Sequence, residues 1–196
     1  MAMVPYVRMG SDAILDAVVK LVGTRGPEET SVRNVAKEAG VSVGAVQHHY
    51  RSKDDLLFAA MEEINRRFQD RMQQALSQIS DPLQQLRYFL YSIAAGHDEA
   101  REGAVIWTVF AARASVNERL REQHSRSWQL VETATLELLQ RAYPGQDFDA
   151  DDAALLLAVT DGIAVARAAE NPQRMTAHRA SQLIDKALVR LIWAKI

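Results

Sequence analysis

The sequence of 196 residues contains no cysteine, which excludes disulfide bonds, thiolate metal ligands and catalytic thiols. It has only five prolines and nine glycines, which leaves little room for disordered tracts or for a sandwich of many short strands. No apolar run approaches the roughly 20 residues that a membrane-spanning helix needs. The N-terminal stretch MAMVPYVRMGSD also lacks the features of a signal peptide. We therefore expect a cytoplasmic protein.

Hydrophobic residues make up 48% of the chain, enough for a substantial core, and they recur at helical spacing along nearly its whole length. No convincing strand interrupts this periodicity, and no internal repeat is present. The pattern predicts an all-α protein of about nine helices. The expected helices cover residues 11–25, 31–39, 43–50, 52–79, 82–96, 105–115, 117–142, 150–169 and 176–194.

The most informative part of the sequence is a pair of short helices within residues 30–57, TSVRNVAKEAGVSVGAVQHHYRSKDDLL. Ser31 and Ser42 are suitable N-caps for these helices, and the glycine between them can adopt the left-handed conformation that ends the first one. Ser52 and Asp55 have the spacing of a capping box for a third helix. Helix, glycine turn and helix is the plan of a helix-turn-helix, whose second helix enters the DNA major groove.

This stretch resembles the helix-turn-helix of TetR-type transcriptional regulators, in detail from Ile14 to Leu57. The segments TDGIAVARAAENP and ASQLIDKALVRL resemble the C-terminal part of the betaine-repressor-like branch of that family. The resemblance implies an N-terminal three-helix DNA-binding domain, residues 1–52, and a larger helical domain, residues 53–196, that binds an effector and a second subunit. It also implies a repressor that a small molecule releases from a palindromic operator.

The side chains around the second short helix suit contacts with DNA. Gln47 can bond adenine in a bidentate manner and Arg33 can bond guanine, while small residues at the start of the helix allow close approach to the bases. The resemblance places the family's contacts at Arg33, Val43, Gly44, Ala45, Gln47, His48 and Lys53. The full candidate set is Thr30, Ser31, Arg33, Ser42, Val43, Gly44, Ala45, Gln47, His48, His49, Tyr50 and Lys53.

Other interpretations of these residues stay open. The run could be a structural helical hairpin, and Tyr50 or His49 could be a packing residue. Residues 1–55 contain seven basic and seven acidic side chains, and the whole chain has a formal net charge of −2. Because DNA-binding domains are often basic, attraction to DNA would have to come from the placement of the charges. A helical adaptor without DNA binding is therefore an alternative.

Aromatic side chains on the middle helices could fill the core or line an apolar pocket. The resemblance favours a pocket, because regulators of this family commonly bind a small effector there. Asp161 lies in an apolar helix and is either a polar anchor for the ligand or a structural hydrogen-bonding group near a dimer seam. The candidate effector-binding residues are Phe68, Tyr88, Tyr91, His97, Trp107, Phe110, Trp128 and Asp161.

The last two helices are apolar over much of their circumference, so each must be buried on more than one side. We expect them to meet the same pair from a second subunit in a self-complementary interface, with Gly162 permitting close approach of the helices. The candidate interface residues are Leu155, Val159, Gly162, Ile163, Ile184, Leu188 and Leu191.

A helical enzyme or metal protein is the third possibility. The histidines form no zinc-protease motif, and no nucleophile elbow or phosphate-binding glycine loop is present. His97, Asp98, Glu99 and Glu102 could hold a metal ion, although a solvated loop explains them more simply. The sequence therefore predicts a DNA-binding regulator, not an enzyme, with no cofactor and no metal.

Overall fold

A computed structural model of the protein describes residues 5–96 and 101–195. Within these ranges the chain forms nine α-helices, one short 3₁₀ turn and no strand, which confirms the predicted all-α fold. None of the described helices is long and apolar enough to cross a membrane. The helices are α1 (Pro5–Arg25), α2 (Val32–Ala39), α3 (Val43–His49), α4 (Lys53–Ser77), α5 (Pro82–Ile93), α6 (Arg101–Ala114), α7 (Glu118–Ala142), α8 (Ala150–Ala169) and α9 (Ala177–Ala194).

Local hydrogen bonds explain where the helices of the N-terminal part begin and end. Three serine hydroxyls each accept a hydrogen bond from the backbone N–H three residues further on, at 3.0–3.2 Å: Ser31, Ser42 and Ser52. The Ser52 hydroxyl also donates to Asp55 at 2.8 Å. Gly40 ends α2 with φ 67°, a left-handed conformation that glycine adopts without steric cost. These predicted caps are confirmed.

Three predicted boundaries are wrong by several residues. Helix α1 begins at Pro5 and not at residue 11, because proline fits the first turn of a helix, where its missing N–H breaks no hydrogen bond. Helix α6 begins at Arg101 and not at residue 105, since charged residues with good helix propensity extend it toward its N-terminus. Helix α5 ends at Ile93, and Ala95 then has a positive φ of 52°, which is incompatible with continuing the helix.

A first hydrophobic core joins the N-terminal helices to the middle of the chain. Its buried side chains come from α1, α2, α3 and the first half of α4, together with α6 and the start of α7. Ile106, Phe110 and Ala114 are the contributions of α6, and Leu120 is that of α7. Helix α6 therefore packs on α1 and α4, the two helices that flank the helix-turn-helix. The division at residues 52 and 53 does not separate two independent cores.

A second core lies at the other end of the molecule. It is formed by α5, α7, α8 and α9, with Met72 from the end of α4. Asp149 and Thr176 are the N-caps of α8 and α9. Helix α4 thus runs from the first core to the second, and the space between the two cores contains the cavity described below.

Candidate nucleic-acid interface and internal cavity

Helix α3 is anchored by one buried side chain and presents most of the others to solvent. Val46 is fully buried against α1 and α2. On the outer side, the small residues Val43 and Gly44 are exposed at the N-terminal end, followed by Gln47 and His48. Because no bulky side chain covers its first turn, the helix backbone can approach a surface such as a DNA groove closely.

Most of the predicted DNA-contact residues are available at this surface. Arg33 on α2 and Gln47 on α3, the two predicted base contacts, are both exposed. His48 and His49 are exposed with their rings 5.3 Å apart, edge to face. Ser31 and Ser42 are exposed as well, while their oxygens cap the helices.

Two predicted contacts are placed differently. Thr30 is completely buried, and its hydroxyl donates to the carbonyl of Pro27. We therefore remove Thr30 from the candidate set. Tyr50 is only partly exposed, packs against the first core and has its hydroxyl 3.3 Å from that of Ser11. Packing accounts for most of the Tyr50 ring, and only its edge can contact DNA.

The N-terminus of α4 lies next to the helix-turn-helix. Lys53 is its first residue and lies 3.9 Å from the carboxylate of Glu28, a long and exposed ion pair. Such a pair contributes little, so a phosphate group can displace the carboxylate. The Asp55 N–H is already bonded to the Ser52 hydroxyl, but the earlier backbone N–H groups of this turn favour an anion, in contrast to its two acidic side chains.

A cavity with a volume of about 880 Å³ lies between α4, α5, α6, α7 and α8. This volume is in the range of pockets that bind drug-sized molecules. Most of its walls are apolar or aromatic. Six of the predicted effector residues line it: Phe68, Tyr88, Tyr91, Trp107, Trp128 and Asp161.

Two of the predicted effector residues do not belong to the described cavity wall. Phe110 is buried in the first core and does not line the cavity, because it lies one turn further along α6 than Ile106 and Trp107, which do. His97 lies outside the described residues, as does the possible metal cluster around it. The described residues contain no group of three or more potential metal ligands.

Sequence reasoning missed several polar residues of the cavity wall. Asn65, Arg67 and Arg71 on α4 line it beside Phe68. The signal was their helical spacing from Phe68, but their polarity suggested exposure to solvent. Arg67 is held by ion pairs with Asp16 and Glu63. The Asn65 amide donates to the Ser127 hydroxyl at 2.7 Å.

Asp161 is the acidic residue of the cavity wall, and its carboxylate accepts a hydrogen bond from the Trp107 indole N–H at 3.1 Å. Burial raises the pKa of Asp161, an effect that the Trp107 hydrogen bond partly opposes. His124 stacks on Trp107 with ring centroids 4.7 Å apart, and burial lowers the pKa of His124. Both groups are therefore shifted toward their neutral forms.

The predicted dimer residues divide into two groups. Leu155 and Gly162 are exposed and Val159 is partly exposed, all on one side of α8. The other four are buried in the subunit's own core and cannot offer side chains to a partner: Ile163, Ile184, Leu188 and Leu191. Three large apolar side chains of α8 and α9 outside the predicted set are also exposed: Val165, Val189 and Trp193.

Two family profiles match the chain and together cover most of it. The profile for "Bacterial regulatory proteins, tetR family" matches residues 14–60. The profile for "BetI-type transcriptional repressor, C-terminal" matches residues 82–192, which is more than half of the chain.

Characterised relatives have related names. The chain is 27% identical over 173 residues to the HTH-type transcriptional regulator PksA of Bacillus subtilis, a match that covers 87% of this chain and 84% of the relative. It is 26% identical over 108 residues to the HTH-type transcriptional regulator BetI of Brucella anthropi, and this match spans 55% of the chain and 56% of the relative.

Solved structures show the same fold. A transcriptional regulator from Rhodococcus sp. RHA1 superposes with a TM-score of 0.82 at 25% identity, covering 93% of this chain and 96% of that one. A regulator from Saccharomonospora viridis in complex with choline gives 0.82 at 20% identity, with 91% and 94% covered. The regulator FadR of Bacillus subtilis in complex with stearoyl-CoA gives 0.70 at 17% identity, with 92% and 97% covered.

Proposed function

Because the chain belongs to the TetR family of helix-turn-helix transcriptional regulators, we propose that it is a homodimeric repressor that a small molecule releases from a palindromic operator. The family and the named relatives are transcriptional regulators and not enzymes. The observation that supports the finer proposal is the position of α4, which begins beside the helix-turn-helix and forms a wall of the 880 Å³ cavity.

For DNA binding we propose that α3 lies in the major groove. Arg33 and Gln47 would read bases, while Lys53 and the exposed serines would contact phosphates. His48, His49, Val43, Gly44 and Ala45 complete the surface. Residues 1–52 would then act as the DNA-binding unit and residues 53–196 as the effector and dimerisation unit, a division by role because the first core spans both.

For dimerisation we propose the exposed sides of α8 and α9. Leu155, Val165, Val189 and Trp193 are large apolar side chains that solvent would otherwise surround, and such patches usually mark an interface. Gly162 lies on the same exposed side of α8. A Cβ atom added at this position would meet nothing within 4 Å in its own subunit. Since a glycine within a helix costs about 1 kcal/mol relative to alanine, close approach of a partner helix would explain it.

For the effector we propose a molecule with an apolar body and a cationic group. Asp161 supplies a half-buried carboxylate, and the rings of Trp107 and Trp128 are 5.6 Å apart at the same wall. Tryptophan faces are the strongest aromatic partners of cations. Arg67, a cation of the α4 wall, is already paired with two carboxylates. The choline complex of the Saccharomonospora regulator supports choline as the first compound to test.

The proposed switch acts through α4 and α6. Trp107 lines the cavity and also packs against the first core, so a ligand that moves its ring would move α6. Helix α6 packs on α1 and α4, which flank the helix-turn-helix. A packed helix shifts as a body and would change the spacing of the two recognition helices. Moving the DNA-competent population from 99:1 to 1:99 needs about 10⁴-fold preference, or about 5.5 kcal/mol.

The test begins with selection of duplexes from a random pool by the wild-type protein. The proposal expects a palindrome whose half-site centres are about 34–36 Å apart, or a multiple of that distance. Thermal shift is then measured with choline, a long-chain alkyl trimethylammonium ion and stearoyl-CoA. A compound at 100 times its dissociation constant should stabilise the protein by about 2.7 kcal/mol, and the same compound must release the selected duplex.

Three outcomes would contradict parts of this proposal. If no sequence is selected and no DNA is bound, the chain is an adaptor that lacks DNA binding. Stabilisation by stearoyl-CoA and by neither cation would contradict the cationic class of effector. A cavity-filling variant such as Val131→Phe, in a residue of the cavity wall, should abolish effector binding. If this variant still releases DNA in response to the effector, the effector acts elsewhere.

A further inference from the structure

The first turn of α4 combines one positive and two negative side chains. Lys53, the proposed phosphate contact, is followed directly by Asp54 and Asp55. Carboxylates at a helix N-terminus are favourable for the helix itself. They are unfavourable beside DNA, which has one negative charge for each ~1.7 Å of its axis. The turn by itself would therefore repel the phosphate that Lys53 is proposed to bind.

Both carboxylates are paired with residues of the corner between α6 and α7. Arg113 donates to Asp54 at 2.6 Å, and Asn117 donates to the other oxygen of Asp54 at 2.9 Å. Arg119 donates to Asp55 at 2.6 Å. These partners lie 59 to 64 positions further along the chain. We call Arg113, Asn117 and Arg119 the corner clamp.

The geometry of the clamp keeps the arginines in place. Arg119 lies over the ring of Phe58, with its guanidinium carbon 4.1 Å from the ring centroid. The Asn117 amide nitrogen donates to Asp54, and its oxygen caps α7 by accepting from the Leu120 N–H at 3.1 Å. Both ends of this side-chain amide are therefore bonded. The hydrogen bond from Arg119, with a second one from Ser52, lowers the pKa of Asp55 and keeps it ionised.

Stability of the fold does not require these pairs. The side chains of Asp54, Asp55, Arg113 and Arg119 are all partly exposed, and ion pairs with this exposure contribute little to folding. What the two arginines change is the local charge. Lys53, Asp54 and Asp55 alone have a net charge of one negative unit. With Arg113 and Arg119 beside them, the group has a net charge of one positive unit.

We infer that Arg113 and Arg119 strengthen DNA binding without belonging to the DNA interface. They neutralise Asp54 and Asp55, so that the first turn of α4 attracts the phosphate backbone at Lys53. They are positioning residues and make no contact with DNA themselves. This inference rests on the proposed function and assigns two residues outside the helix-turn-helix to it. Any displacement of the corner between α6 and α7 would then change the charge beside the DNA.

The first experiment measures the affinity of Arg113→Gln and Arg119→Gln for a labelled duplex selected by the wild-type protein and for a scrambled duplex, by fluorescence anisotropy. Glutamine keeps hydrogen-bond donors and removes the charge. Each variant should bind both duplexes about two- to fivefold more weakly at low salt, which corresponds to one unit charge acting at several ångströms. The loss should shrink as salt is added. Affinity equal to that of the wild type would overturn the inference.

The second experiment separates neutralisation from direct contact. Asp54→Asn should bind DNA at least as tightly as the wild type, and Asp54→Asn combined with Arg113→Gln should restore wild-type affinity. If the double variant stays as weak as Arg113→Gln, Arg113 contacts phosphate itself and the inference is wrong. The matched control is Arg126→Gln, which removes the same charge from α7 at a residue that forms an ion pair with Glu122 of its own helix. Its DNA affinity should not change.

Different results would contradict the proposed function and the role of the corner clamp. A wild-type protein that binds neither duplex would contradict the proposed function. A wild-type protein that binds both, with Arg113→Gln and Arg119→Gln indistinguishable from it, would contradict only the role of the corner clamp. Circular dichroism and sedimentation of each variant verify that helicity and assembly match those of the wild type.

Discussion

Trp107 on α6 donates its indole N–H to Asp161 on α8 across 3.1 Å, and this bond joins the two walls of the cavity. The same indole stacks on His124 of α7 and packs against the core that supports the helix-turn-helix. One side chain therefore contacts the cavity, a neighbouring helix and the DNA-binding end of the molecule.

Replacing Asp161 by asparagine keeps an oxygen that can accept from Trp107 but removes the charge. Burial raises the pKa of Asp161 above its ordinary value of 3.8, so the folded state holds this proton more tightly than the unfolded state. The stability that this group contributes is complete below pH 3.8 and is lost as the pH rises through the folded-state pKa. We expect Asp161→Asn to be at least as stable as the wild type at neutral pH, in thermal denaturation.

The same substitution should abolish the binding of a cationic effector, measured by calorimetry at neutral pH. Asp161→Glu, which keeps the charge, is the matched control and should retain part of the affinity. Equal binding of the cation by Asp161→Asn and the wild type would show that this carboxylate does not hold the ligand.

The stability of the protein should decrease on mild acidification because of His124. Burial lowers the pKa of His124 below its ordinary value of 6.5, so the unfolded state takes up this proton first. The stability that depends on neutral His124 is present above pH 6.5 and is lost as the pH falls toward the folded-state pKa. His124→Phe, which retains a ring against Trp107, should make the melting temperature less dependent on pH in this window.

The exposed histidine His178 on α9 supplies the comparison. His178→Phe should leave the pH dependence of the melting temperature as it is in the wild type. If His124→Phe and the wild type lose stability in parallel as the pH is lowered below 6.5, then other groups cause the loss of stability in acid.

Dimer formation should depend on Trp193 and not on the buried residues of α9. Trp193 is 70% exposed in the subunit, so Trp193→Glu should fold and sediment as a monomer with reduced operator affinity. Leu188 is 2% exposed, so Leu188→Glu buries an unpaired charge and should lower stability by several kcal/mol instead. A Trp193→Glu protein that remains dimeric at micromolar concentration would place the interface elsewhere.

Gly162 offers an independent test of the same interface. A Cβ atom at this position meets nothing within 4 Å inside the subunit, so Gly162→Ala should stabilise α8 by about 1 kcal/mol in a monomer. At a closely packed seam it should instead weaken association, which analytical ultracentrifugation would detect. Tighter association of Gly162→Ala would argue against close helix approach at this residue.

Base reading and phosphate contact should respond differently to substitution. Arg33→Ala and Gln47→Ala should each relax base preference, at a cost of roughly 1–3 kcal/mol on the preferred sequence. Lys53→Ala should weaken binding to every sequence alike and reduce the salt dependence by about one phosphate contact. A change of sequence preference in Lys53→Ala, with none in the other two variants, would reverse this assignment.

The local features of the fold could be read from the sequence because they depend on neighbours along the chain. A hydroxyl such as that of Ser31 or Ser52 caps a helix through a backbone group three residues away, and Gly40 ends one by its own conformation. The helical periodicity and the helix-turn-helix pattern were sufficient for the fold class and for the regulator family.

Which way each side chain faces was decided by tertiary packing. Trp107 and Phe110 are both aromatic and one turn apart on α6, yet one lines the cavity and the other is buried in the first core. Leu155 and Leu188 are the same residue type on apolar helices, but only Leu155 is exposed. Hydrophobicity determines that a residue should be buried and not which neighbour buries it, because the effect is non-directional.

Contacts between distant parts of the chain could not be predicted from the sequence either. Arg113 is one of many arginines, and nothing in its local context indicates a bond to Asp54 at a separation of 59 residues. Thr30 has a hydroxyl group that could contact phosphate, but the residue is completely buried and the hydroxyl donates to the carbonyl of Pro27. The sequence by itself determined the helices, their caps and the DNA-binding motif through short-range hydrogen bonding and periodicity. Only the packing of these helices in three dimensions decided which charges meet and where the cavity lies.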